Sequence, residues 1–72
     1  MRKPNVTSAL FFLAVIEEGS IAKAAAREHI VPSAVSKRLA DLESLFGVAL
    51  VERGRRGVTP TPAGEAWRTM RA

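Results

Sequence analysis

Cysteine is absent from this 72-residue chain and histidine occurs once. Without thiols there is no disulfide framework and no thiolate zinc site. With His29 alone there is neither a nucleophile–base pair nor a metal-binding cluster. Glu17 and Glu18 are neighbours, so a helix points them to different parts of its surface and they do not form a catalytic pair. Gly54 to Gly57 is too short for a loop that cradles a nucleotide phosphate. The longest apolar run, Ala9 to Ile16, falls far short of a bilayer span. The N-terminus carries Arg2 and Lys3 but lacks the apolar region and cleavage site of a signal peptide. There is no internal repeat and no low-complexity tract. These absences argue against an enzyme, a cofactor, a metal site and a membrane partner, and they make an intracellular, cytoplasmic protein the default expectation.

What is present is the composition of one small globular domain. The chain is 47% hydrophobic and 25% charged, which is too apolar for wholesale disorder. A chain of this length builds one modest core, so stability comes from packing, with self-association as a further source. The net charge of +4 fits a polyanionic partner, or plain solubility. Its placement says more than its size. From Arg53 onward there are five arginines against a single carboxylate, Glu65.

Taken in order, residues 1–5 form a basic start, and Asn5 or Thr7 caps a first helix running to about Glu18. Ala9, Phe12, Leu13 and Ile16 give it one apolar face, which Leu10, Phe11 and Val15 widen. So broad a face calls for two neighbours rather than one. Gly19 stops this helix, and Ser20 caps a second over residues 21–28 whose small face, Ile21, Ala24 and Ala25, permits close packing. Glu28 falls on the buried side by the same spacing, which predicts a place at the rim or a pairing with a cation such as Arg38. His29 lies in the connection, as a structural residue.

Pro32 opens a longer helix that Gly47 closes. Val35, Leu39, Leu42 and Phe46 fall on one side of it. Ser33, Ser36, Lys37, Ala40 and Ser44 fall on the other, an outer stripe of hydroxyls, small residues and one cation with no carboxylate near its centre. A short helix, a tight turn and a longer helix with a polar outer stripe make the helix-turn-helix layout, in which the second helix enters the major groove by its N-terminal half. Residues 48–53 and 58–59 then read as two short strands around the glycine-bounded turn Gly54-Arg55-Arg56-Gly57. The hairpin needs support from the helices through Leu50 and Val58. Its arginines suit contact with phosphates or a minor groove. Thr61 and Pro62 start a fourth helix whose Trp67 and Met70 seek the first helix.

These pieces resemble the DNA-binding domain of LysR-type transcriptional regulators. The likeness rests on Phe12-Leu13-Ala14-Val15 with Glu17-Glu18-Gly19-Ser20, and on Ala24-Ala25. It continues through residues 33–39, Leu42-Glu43 and Leu45 to Leu50, then Glu52-Arg53, Arg56-Gly57-Val58 and residues 61–65. The resemblance implies a mainly α winged helix-turn-helix: a three-helix core, a two-stranded wing and the start of a fourth, linker helix. It implies a winged domain over 1–60 and a linker or dimerisation helix from 61 to 72, with the effector-binding domain, and any small-molecule effector, outside this chain. By the same likeness Pro32, Ser33, Ser36, Lys37 and Arg38 face DNA, Arg53 and Arg56 hold wing positions, and Ser20 and Lys23 approach the backbone. Pro32 stands where such proteins commonly have glutamine, so a base-reading amide is absent and a different sequence preference is expected. Glu28 for the usual leucine, Val51 for phenylalanine and Pro60 for leucine suggest altered packing under the wing.

The expected function is sequence-specific binding of double-stranded DNA. The recognition helix 32–46 lies in the major groove, with Ala34 and Pro32 allowing close approach. The wing 50–59 sits on the backbone or minor groove through Arg53, Arg55 and Arg56. A homodimer through the first and linker helices follows from the resemblance. The competing expectation is a winged-helix protein-interaction module that uses the apolar surface of the first helix and Trp67.

Overall fold

The computed structural model describes residues 6–71, folded as α1 (Val6–Glu18), α2 (Ile21–Glu28), α3 (Pro32–Phe46), β1 (Val51–Gly54), β2 (Gly57–Pro60) and α4 (Pro62–Arg71). The expected loose start and the Asn5 cap lie outside the described residues. No helix among those residues is long and apolar enough to cross a membrane.

Each helix boundary has a local cause. Gly19 and Gly47 both take left-handed backbone angles, and their N–H groups return to the Val15 and Glu43 carbonyls. The Ser20 hydroxyl accepts from the Lys23 N–H at 3.1 Å, as the N-cap of α2. α2 ends without a glycine. His29 itself adopts φ 62°, while the Ile30 N–H bonds to the Ala25 carbonyl and the His29 N–H to Ala26. Pro32 occupies the first position of α3, where its missing N–H is not needed.

The core lies where α1, α2 and α3 cross. Phe12, Val15, Ala24, Val35 and Leu39 are sealed from solvent. Ala24 and Ala25 are the small contacts that let α2 approach closely. Leu50, Val51 and Val58 close the core from the hairpin side. Trp67 brings α4 into it, meeting Phe12 edge to face at 5.1 Å between ring centres. The Met70 side chain lies outside the described ones. Phe46 departs from expectation. It ends α3 at the rim, 38% exposed, and leans on Trp67 from 6.1 Å rather than entering the core.

The hairpin is antiparallel, with Val51 opposite Pro60, Arg53 opposite Val58 and Gly54 opposite Gly57. Pairing starts at Val51, not at residue 48, and its second strand extends to Pro60. The apolar segment before it is fastened elsewhere. The Leu50 N–H donates to the Glu43 carboxylate, the Leu50 carbonyl accepts from the Thr61 N–H, and the Ala49 carbonyl accepts from the Thr61 hydroxyl. Val48 stays exposed.

Candidate nucleic-acid interface

The outer side of α3 follows from its inner side. With Val35, Leu39 and Leu42 buried, Ser33, Lys37, Ala40 and Ser44 are turned to solvent, and Ala34 and Ser36 are half-buried beside them. Val31, the N-cap, offers no side-chain acceptor, so the helix opens with exposed Val31, Pro32 and Ser33. The centre of this stripe holds no carboxylate, but its edge does. Lys37 Nζ lies 3.4 Å from Asp41 Oδ2, one turn along, so a carboxylate flanks the stripe and holds its cation. The spacing of four residues permits this pair in any exposed helix.

The hairpin carries its cations at its free end. Val51 and Val58 are buried, whereas Glu52, Arg53 and the Arg55-Arg56 turn are exposed. An open depression of about 530 Å³ runs along it between Arg53, Arg55, Arg56, Glu52 and Thr59.

Ion pairing separates the cations into two groups. Arg27 is engaged by Glu17 at 2.7 Å, Glu18 at 3.4 Å and Glu28 at 3.4 Å. The hydrogen bond to Glu17, more than any other interaction, raises its pKa above the ordinary arginine value. The α1–α2 corner brings Glu17 and Glu18 back beside Arg27, and the adjacent Glu28 joins them. It lies half-buried at the rim and pairs with a cation as expected, Arg27 and not Arg38. Arg68 pairs with Glu65 within α4. Lys23, Arg38, Arg53, Arg55 and Arg56, by contrast, meet no carboxylate within 4.0 Å among the described residues. All five belong to the set that the sequence points toward DNA. Lys37 is the one expected cation that is paired. Ser20 spends its oxygen as an acceptor in capping, which leaves its hydroxyl proton available.

Sequence reasoning missed the residues that hold the hairpin to the helices. Glu43 Oε2 accepts the Leu50 N–H at 2.7 Å and the Val51 N–H at 3.2 Å. The Val58 N–H donates to the Gly19 carbonyl at 2.9 Å. Gly57 has φ 106°, and a β-carbon there would overlap the Gly19 carbonyl oxygen. Gly64 is equally constrained, facing the Leu50 carbonyl oxygen. No periodicity marks such contacts, since each joins parts distant in sequence.

The model of the bacterial regulatory helix-turn-helix protein, LysR family, matches residues 7–65. This chain belongs to the LysR family. Among curated relatives, the HTH-type transcriptional regulator TfdS of Cupriavidus pinatubonensis is 46% identical over 57 residues, covering 79% of this chain and 19% of that protein. TdcA of Escherichia coli K12 is 45% identical over 62 residues, covering 86% and 20%. The chain thus spans about a fifth of the length of these relatives. Among solved structures, a complex of the CbnR DBD with DNA superposes with a TM-score of 0.87 at 35% identity, over 92% of this chain and 76% of that one. OxyR of Corynebacterium glutamicum gives 0.92 at 31%, over 97% and 23%. The LysR-family fold is therefore the winged helix-turn-helix expected from the sequence. The protein-interaction alternative loses its main support, because Trp67 is only 9% exposed and packs on Phe12 of α1 instead of forming a surface with it.

Proposed function

We propose that this chain is the DNA-binding part of a LysR-type transcriptional regulator and binds double-stranded DNA in a sequence-dependent way. One observation carries it: a chain of the same fold at 35% identity, CbnR DBD, was solved on DNA. The unpaired cations of α2, α3 and the wing supply the electrostatic complement. In this scheme residues 1–60 engage DNA and residues 61–72 begin the linker helix. At about 1.5 Å per residue, the 15-residue α3 is about 22 Å long, enough to lie along a major groove.

Ser33, Ser36 and Lys37 contact base edges or phosphates, Pro32 and Ala34 let the backbone come close, and Arg38 reaches a phosphate beside them. Ser20 and Lys23 touch the backbone from α2. Arg53, Arg55 and Arg56 hold the backbone or the adjacent minor groove. A homodimer through α1 and α4 gives the 53%-exposed Leu10 a partner and matches a pseudo-palindromic site. The role is non-enzymatic, exercised in the cytoplasm, and effector sensing belongs to parts of the regulator outside these residues.

Selection of a random duplex pool on the chain tests this. Enrichment of a split, roughly symmetric motif is the expected result. Retention of duplexes without enrichment would reduce the function to non-specific binding, and no retention at low salt would remove DNA as the ligand.

A further inference from the structure

We propose that Glu43 is a positioning residue for DNA binding, one that sets where the wing arginines stand relative to the recognition helix. The inference rests on the DNA-binding role just described and adds to it a residue that itself touches no DNA.

Glu43 lies about two turns beyond Ser36, on the same edge of α3. Its carboxylate is directed at the protein's own backbone. A single oxygen accepts the N–H groups of Leu50 and Val51, the last residue before β1 and its first. Both donors belong to buried residues, Leu50 at 2% and Val51 at 8% exposure, and the two bonds are part-buried, which limits replacement of the acceptor by water. Among the described residues no cation pairs with Glu43, which leaves the strand as its partner. The Glu43 carbonyl also accepts from the Gly47 and Val48 N–H groups. One residue therefore ends α3, turns the chain and receives it again at the root of the wing.

Leverage makes this attachment matter. β1 runs four residues from the clamp to the turn, about 13 Å at ~3.3 Å per residue. A rotation of about 10° at its root displaces Arg55 and Arg56 by about 2 Å, more than the width of hydrogen-bonding distances in proteins. The other strand is pinned separately, where the Val58 N–H meets the Gly19 carbonyl. Loss of the Glu43 clamp leaves β1 held at its root only through the Ala49 and Leu50 carbonyls, which accept from Thr61, and the hairpin turns about these bonds and the Val58–Gly19 bond. The hairpin persists but its cations move off the phosphates.

The test uses the full 72-residue chain and a fluorescein-labelled duplex enriched on the wild type, titrated at several salt concentrations well below each variant's melting temperature. Glu43→Gln keeps an oxygen acceptor and is expected to bind as the wild type does. Glu43→Ala is expected to bind roughly tenfold more weakly, with the salt slope reduced by about 0.9 for each phosphate that the displaced wing no longer neutralises. Adding Arg56→Ala to Glu43→Ala should then cost little more, because that arginine is already displaced. Full additivity of the two changes, or wild-type affinity and slope in folded Glu43→Ala, would overturn the proposal. Equal loss in Glu43→Gln would overturn it too, by making charge rather than acceptor geometry the cause. If Glu43→Ala does not fold, Glu43→Asp, one methylene short of the strand, serves in its place. Unfolding of both would reduce Glu43 to a stability role. Failure of the wild type itself to bind any duplex would instead strike the DNA-binding role.

Discussion

At the scale of single residues, the roles of Lys37 and of the wing arginines separate by measurement. Lys37 is already held by Asp41, so it reaches DNA only by exchanging that weak, exposed pair for a stronger partner. Lys37→Ala is expected to weaken binding to the selected site by about 1–3 kcal/mol and to relax preference at one base position if it reads a guanine; competition with single-base variants of the site checks this. Arg55→Ala or Arg56→Ala should weaken all duplexes alike and lower the salt slope by about 1 each. An unchanged slope in both variants would remove the wing from the interface. His29 yields a stability prediction. It holds φ 62° in a place usually taken by glycine, so His29→Gly should raise stability by about 1 kcal/mol, whereas His29→Ala should not; urea denaturation distinguishes them. Most of the candidate residues were legible as types on a face. Their pairing was not. Arg27 draws two of its three carboxylates from the preceding helix, and Asp41 sits off the stripe whose cation it holds.

At the scale of elements, α2 and α3 were legible to the residue because chemistry marks their ends: Gly19-Ser20, Pro32 and Gly47. The wing was legible as a glycine-bounded turn, but the start of β1 was not. Val48, Ala49 and Leu50 read as strand by composition, yet the polar groups of Ala49 and Leu50 go to Glu43 and Thr61, partners that only the tertiary fold supplies. Phe46 had the right spacing for the core but is the last residue of α3 and stays at the rim, 38% exposed, with Trp67 beside it. Close approach was equally hidden. Gly64, sealed inside α4, faces the Leu50 carbonyl and the Phe12 ring. Gly64→Ala should destabilise the domain by about 1–3 kcal/mol through overpacking, seen as a lowered melting temperature. Trp67→Ala, which empties the space beside Phe12, should cost about 3–5 kcal/mol and free α4 from the core. A smaller loss would mean that α4 is held by something other than the ring pair.

At the scale of the whole molecule, charge is divided between paired and unpaired cations. The carboxylates of the α1–α2 corner neutralise Arg27, while Lys23, Arg38 and the wing arginines stay unpaired among the described residues. A surface so divided attracts a polyanion without binding itself. The proposed dimer would place two such surfaces under one two-fold axis, so a chain that dimerises should bind a full site more tightly than an isolated half-site. The most direct test is a fluorescence-anisotropy titration of the chain with its selected duplex and with a scrambled duplex of equal length, over a range of salt. DNA recognition through α3 and the wing predicts tighter binding of the selected duplex at every salt concentration, with affinity falling steeply as salt rises. Equal affinity for the two duplexes, or an affinity indifferent to salt, would contradict it.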